Sequence, residues 1–184
     1  MAMRDQDKRA GLVASDKVGG KPLKSRLPNL NICGDIGLKI ASDGTWYYQG
    51  GPISRKPLVK LFASVLRREG DEFYLVTPVE KVPIAVAAEP FVAVELRREG
   101  GGKEQRLVFR TNVDDVVTAG PEHRIGFRTD PSGGHTPFVV VRDGLCARLA
   151  RPVYYELTGL AVEAEGGTGV WSCGVFFPFP MSEG

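Results

Sequence analysis

RKPLVKLFASVLRREG, Arg55–Gly70, and RPVYYELTGLAVEAEG, Arg151–Gly166, decide how this chain is organised. They align without a gap at an offset of 96 residues. Arg55/Arg151, Leu61/Leu157, Glu69/Glu165 and Gly70/Gly166 are identical, and Leu58/Tyr154, Val65/Ala161 and Leu66/Val162 stay apolar. Upstream of each stands an Asp-Gly pair, Asp43-Gly44 and Asp143-Gly144, between β-type residues; downstream come the β-type runs Phe73–Thr77 and Gly169–Val175. The unit reads strand, Asp-Gly turn, strand, helix, Gly, strand. A chain that writes it twice is expected to be α+β and β-rich, with two repeated lobes of antiparallel sheet plus one helix each.

Local chemistry fills in the unit. Asp-Gly supplies the positive φ angles of a two-residue connection, so Ile36–Ala41 and Thr45–Gln49 read as a hairpin. Ser54 suits an N-cap, and Leu58, Leu61, Phe62, Val65 and Leu66 recur with a helical period that Gly70 ends at C′. Between the copies, Val92, Val94 and Leu96 alternate with Ala93, Glu95 and Arg97, and Gly100-Gly101-Gly102 turns the chain into Arg106–Arg110 with Leu107 and Phe109 inward. Leu-Arg-Arg-Glu-Gly occurs at 66–70 and again at 96–100; the preceding period makes the first a helix end and the second a strand end. Asn112–Val117 reads as a short helical turn, Ile125–Arg128 and Phe138–Val141 as strands. Trp171, Phe176, Phe177 and Phe179 are expected to pack on the second helix. Composition divides the chain into a disordered leader at 1–18, a first repeat at 19–81 and a second at 82–184.

The net charge of +2 is unevenly placed. Residues 1–30 hold seven Lys/Arg against three Asp, so the rest of the chain is slightly acidic. A nucleic-acid-binding fold concentrates cations on its folded surface, which this body does not. The opening residues lack a signal-peptide core, and no segment approaches the ~18 apolar residues of a membrane span. Three cysteines, Cys33, Cys146 and Cys173, are odd in number and widely spaced, which suits a reducing, cytoplasmic setting.

Chemistry-bearing residues gather in the first copy. The Asp-Gly pairs lie 100 residues apart but the helices 96, so the first copy holds surplus residues, Gly50-Gly51-Pro52-Ile53, ahead of its helix. That loop feeds Ser54, Arg55 and Lys56 at a helix start, where cations oppose the helix dipole and free N–H groups attract anions. Such a place suits an acidic or phosphorylated partner; the alternative is that Arg55 pairs with Asp35 or Asp43. Trp46 and Tyr48 share one strand face, which either stacks a ligand or packs in the core. The partner-binding candidates are Asp35, Trp46, Tyr48, Gly50, Gly51, Arg55 and Lys56. Catalysis finds little support: His123 and His135 sit in Gly/Pro-rich loops, and Cys33-Gly34-Asp35 has no evident base. Without CxxC or HxxxH, neither a metal nor a cofactor is expected.

Ile32-Cys33-Gly34-Asp35-Ile36, Asp43-Gly44-Thr45-Trp46, Gly51-Pro52-Ile53-Ser54-Arg55, Leu75-Val76-Thr77-Pro78-Val79-Glu80, Pro90-Phe91 and Trp171-Ser172-Cys173-Gly174-Val175-Phe176-Phe177-Pro178 together resemble an uncharacterised bacterial family known only as a domain of unknown function. The resemblance spans about residues 20–180. It implies a duplicated α+β core, a C-terminal half similar to pleckstrin-homology-like folds, and a role in partner binding or signalling. No catalytic residues are established for that family, so it lends none. The combined expectation is a non-enzymatic ligand- or partner-binding protein, in bacterial signal transduction, with its site in the groove between the lobes. A small hydrolase-like enzyme and a nucleic-acid-binding protein are the alternatives.

Overall fold

The computed structural model describes residues 31–32, 34–129, 133–164 and 166–180. The expected leader at 1–18, Cys33 and Glu165 lie outside the described residues. The first lobe contains β1 (Asn31–Ile32), β2 (Leu38–Ile40), β3 (Trp46–Tyr48), β4 (Gly51–Pro52), helix α1 (Lys56–Val65), β5 (Leu66–Glu69), β6 (Glu72–Val76) and β7 (Glu80–Val86). The second contains β8 (Phe91–Glu99), β9 (Arg106–Thr111), β10 (Val116–Thr118), β11 (Ile125–Thr129), β12 (His135–Arg142), β13 (Leu145–Leu149), helix α2 (Arg151–Thr158), β14 (Val162–Ala164), β15 (Gly167–Ser172) and β16 (Val175–Pro178). The architecture is α+β with two similar lobes.

Each lobe runs hairpin, helix, three-stranded meander: β2–β3, α1, β5–β7 in the first and β12–β13, α2, β14–β16 in the second. In the first, β2 lies parallel to β7, so hairpin and meander join in one seven-stranded sheet ordered β4-β3-β2-β7-β6-β5, with β1 also parallel to β7. β7, which spans position 81, belongs wholly to that sheet. Its Pro83 lacks an N–H and stands between the stretches that pair with β1 and β2, where β7 has a neighbour on one side only. In the second lobe β13 takes β8 as its parallel neighbour, giving the order β10-β9-β8-β13-β12-β11, and β14-β15-β16 form a separate sheet. Buried Ser172 ties the two sheets: its hydroxyl donates to Ala119 O at 2.7 Å and accepts from Leu107 N at 3.0 Å. One apolar core runs through both lobes, from Leu38, Ile40 and Trp46 to Phe91, Phe109, Leu157 and Phe177. The C-terminal aromatics divide: Phe177 is core, Trp171 packs on Phe176, and Phe179 meets Phe127 edge-on.

Several local expectations change. The first helix is N-capped by Arg55 rather than Ser54, without a side-chain cap, and it ends at Val65. Leu66–Glu69 is a strand that pairs with β6, and Gly70, at φ +63°, serves the turn between them. Pairing opposite Leu75 buries Leu66 completely, whereas a continued helix would leave the edge of β6 open. Both copies of Leu-Arg-Arg-Glu-Gly are therefore strand ends. A bulge between Ala93 and Glu95 breaks the alternation in β8, burying Ala93 and turning Val94 outward. Asn112–Val117 is not helical: Asp114 adopts φ +66° and Val116 starts β10. Its carboxylates instead engage cations, Asp114 with Lys60 and Arg110 and Asp115 with Arg142. The surplus before α1 is no open loop. Gln49 and Gly50 (φ +48° and +85°) form a tight turn into the edge strand β4.

The offset between the copies shifts as well. Lys56-Pro57 and Arg151-Pro152 open the two helices, 95 residues apart. At that spacing the exposure pattern matches along both helices, Phe62 falling where Leu157 falls. The identical Leu61 and Leu157 are thus not equivalent: Leu157 is fully buried, Leu61 60% exposed.

Candidate functional site

The two Asp-Gly turns bring the lobes together. Asp143 and Gly144 both have positive φ (+44° and +74°) and close β12–β13 as a two-residue turn, as expected. Asp43-Gly44 does so within a longer connection, 41–45, where the Asp43 carboxylate accepts the Thr45 N–H at 2.8 Å. That hydrogen bond, with the nearby Arg148 adding a smaller effect, holds the Asp43 carboxyl below its ordinary value. Each turn docks on the other lobe. Gly44 O accepts from Asn112 Nδ2 at 3.2 Å, and Ser42 O accepts from Arg148 Nε at 2.7 Å. In return, Gly144 O accepts from Arg68 Nη1 at 3.2 Å, and Arg142 Nη2 donates to Ala63 O, near the end of α1, at 2.7 Å.

A cleft of about 400 Å³ opens beside these contacts, lined by Arg68, Phe73, Ala88, Glu89, Arg128, Thr129, Thr136 and Arg148. β5 and β6 supply the first two, the crossing between lobes Ala88 and Glu89, and β11, β12 and β13 the rest. Register explains the convergence. Arg68 stands opposite Phe73, Arg128 opposite Thr136, and Phe138 opposite Arg148. Phe138 lies over Gly126, where a Cβ would come within 2.6 Å of the ring, and that ring supports the Arg128 guanidinium at 4.9 Å. Arg128 Nε donates to Glu89, whose side chain is only 8% exposed; this hydrogen bond raises the Arg128 pKa further, so the cation persists at any ordinary pH. Cys146 lies beside the same charges, and burial, then the Glu89 carboxylate, pushes its thiol up. It stays protonated and is a poor nucleophile at neutral pH. The cleft offers three guanidiniums and one carboxylate around an apolar wall of Phe73 and Ala88, an arrangement fitted to hold oxyanions.

The residues singled out from sequence lie elsewhere. Asp35 lines a neighbouring acidic cleft of about 430 Å³ with Asp71, Glu72 and Tyr74, and its Oδ1 accepts the Gly37 N–H at 2.8 Å. Trp46 is 1% exposed and stacks on Phe62 in the core. Tyr48 is exposed on the edge hairpin that Gly50 and Gly51 form with β4. Arg55 and Lys56 are exposed, and among the described residues neither has an ion pair, with Asp35 and Asp43 or any other carboxylate. None of these seven lines the inter-lobe cleft. The residues that do, Arg68, Glu89, Arg128 and Arg148, look in sequence like ordinary outward positions. Arg68 also sits in the pentapeptide that periodicity assigns to a helix. No helix among the described residues is long and apolar enough to cross a membrane.

Comparison with known proteins gives the lineage. A family model described as "Domain of unknown function (DUF1285), N-terminal domain" matches residues 22–88, and "Protein of unknown function (DUF1285), C-terminal domain" matches 90–179. No curated protein matches. The crystal structure of a DUF1285 family protein from Silicibacter pomeroyi DSS-3 superposes with a TM-score of 0.80 at 48% identity, covering 84% of this chain and 85% of that one. A DUF1285 family protein from Shewanella baltica OS155 superposes at 0.53 with 25% identity, covering 67% of this chain and 91% of that one. Two family models in tandem over nearly the whole described chain, and a half-identical relative with the same fold, lead to one conclusion: the chain belongs to the DUF1285 family of proteins of unknown function.

Proposed function

We propose that the protein is a non-enzymatic binding protein that takes an acidic or phosphorylated ligand or partner in the groove between its lobes. The observation that supports this is the convergence of Arg68, Arg128 and Arg148, from three strands of two lobes, on one cleft with an apolar wall. Its volume is in the range of small-molecule sites, and guanidiniums in a partly desolvated concavity bind oxyanions far better than exposed lysines do. A ligand held there touches both lobes, so its arrival is felt across their junction. In this reading the protein serves cytoplasmic signal transduction, with the second repeat a pleckstrin-homology-like module. The exposed edge formed by Tyr48, Gly50, Gly51, Arg55 and Lys56, with Asp35 and the Trp46 that underlies it, is the further contact for a macromolecular partner.

The test is thermal stabilisation of the full chain by inorganic phosphate and by glutarate, with Arg148→Glu and Arg55→Glu compared. Binding that stabilises the native protein raises Tm. Arg148→Glu should abolish the rise, removing on the order of 2 kcal/mol of binding, while Arg55→Glu leaves it intact. If Arg55→Glu removes it and Arg148→Glu does not, the anion site is at the helix start and the inter-lobe reading fails.

A further inference from the structure

The three arginines of the cleft are not equivalent once their hydrogen bonds are followed atom by atom. Arg68 gives Nε to Gly70 O at 2.8 Å, Nη1 to Gly144 O at 3.2 Å and Nη2 to Asp71 Oδ1 at 3.2 Å. It is a clamp between β5 and the second Asp-Gly turn, with one donor of each of its three nitrogens engaged. Arg148 gives only Nε, to Ser42 O of the other lobe at 2.7 Å. That one bond fixes the guanidinium plane and leaves both terminal amino groups without a partner among the described residues, a fork ready for a planar oxyanion. Arg128 gives Nε to Glu89, rests on Phe138 and also interacts with the Cys146 thiol, which makes it a firmly placed cation at the cleft wall.

Glu89 adds the second half of the pattern. Its Oε1 accepts from Arg128, its side chain lines the cleft at 8% exposure, and among the described residues no hydrogen bond reaches Oε2. An open carboxylate oxygen on a cleft wall is a ready acceptor for a donor carried by a ligand. The cleft therefore presents a free acceptor beside a free donor fork, and its lining carries three cations against one anion.

We infer that the ligand is amphoteric with net negative charge: an acidic amino acid, whose carboxylates meet the amino groups of Arg148 and the cation of Arg128 beside them, and whose ammonium group donates to Glu89 Oε2. This rests on the reading of the cleft as an anion site and goes further by requiring a donor on the same molecule. A free amino acid and the acidic end of a peptide share this chemistry, so both are tested.

The experiment is calorimetric titration of the full chain with L-glutamate, glutarate, which lacks only the ammonium group, N-acetyl-L-glutamate, which carries an amide N–H without charge, the dipeptide Glu-Ala, and inorganic phosphate. L-Glutamate should bind at least tenfold more tightly than glutarate, with N-acetyl-L-glutamate between them. Glu89→Gln should erase the gap, and Arg148→Met should weaken all of the ligands. Glu-Ala binding as tightly as L-glutamate would name a peptide N-terminus as the source, and weaker binding the free amino acid. Glutarate binding as well as L-glutamate to the unaltered protein overturns the amphoteric assignment and leaves the anion site standing. Absence of binding by all five ligands overturns both. The ligand series on the unaltered chain decides the matter even if a variant fails to fold.

Discussion

The first and second copies share a connectivity of hairpin, helix and meander, yet they close in different ways. In the first copy β7 runs for seven residues, long enough for its far end, Ala85-Val86, to lie against β2 and seal one sheet. In the second, the equivalent strand β16 stops after four residues at Pro178, and Pro180 follows. Neither proline can donate to a ladder, so the hairpin's parallel neighbour comes instead from β8. That substitution brings in β9 and β10 and makes the second lobe the larger. Duplicated sequence preserves the order of elements along the chain; what each edge finds to pair with depends on a few prolines and on what is inserted between the copies.

The helices give the sharpest way to break this comparison. The sequence alignment equates Leu61 with Leu157, whereas the structural register equates Phe62 with Leu157. Leu157→Ala should cost about 2–5 kcal/mol, as for a fully buried leucine, while Leu61→Ala should change stability by about 0.5 kcal/mol or less. Phe62→Ala should resemble Leu157→Ala, at about 3 kcal/mol, since its ring also stacks on Trp46. Urea unfolding of the three variants measures this. Equal losses from Leu61→Ala and Leu157→Ala would restore the gap-free alignment.

The turns sharpen it next. Gly44 and Gly144 have similar positive φ, +84° and +74°, so alanine at either is strained by roughly 1 kcal/mol. A Cβ on Gly44 would also sit 2.7 Å from Val92 Cγ2 and 2.8 Å from Asn112 Nδ2, within the contact between lobes. On Gly144 it would approach only the flexible Arg68 side chain, at 3.8 Å. Gly44→Ala should therefore be worse by a further 1–3 kcal/mol, roughly the cost of overpacking. Comparable destabilisation by the two would mean that the first turn does not seat on the second lobe as tightly as its contacts indicate.

These positions also show what was legible in the sequence. Repetition, α+β class, turn residues and most inner-facing apolar positions follow from period and propensity, which are local. The helix end did not: Leu66-Arg67-Arg68-Glu69 continues the helical period, and only the presence of β6 as a partner converts it to strand. The surplus read from the two offsets points to Gly50-Gly51, but the edge strand that forms there depends on β3 beside it. The cleft was least legible. A groove between the lobes was expected from duplication, yet Arg68, Glu89, Arg128 and Arg148 are 80 residues apart at their extremes and meet through strand register and two docking turns, neither of which has a linear signature.

The smallest contrast lies in the two turn aspartates. Asp43 accepts the Thr45 N–H with its side chain and lies near Arg148, so its carboxyl is held below the ordinary value of 3.8. Asp143 instead occupies a positive-φ position. A carboxyl that ionises more readily folded than unfolded adds stability above its unfolded pKa and loses it as pH falls through the lower, folded one. The stability supplied by Asp43 is thus full at neutral pH and fades below about pH 4. Asn at position 43 keeps a side-chain acceptor for Thr45 but not the charge, so Asp43→Asn should lower Tm slightly at pH 7, and the gap to the unaltered protein should narrow at pH 3. Asp143→Asn, which swaps in a residue equally at home with positive φ, should leave both values alone. The check is a pair of thermal melts for each variant at pH 7 and pH 3. A larger loss at pH 3 than at pH 7 for Asp43→Asn would show that the Asp43 charge does not brace the first turn.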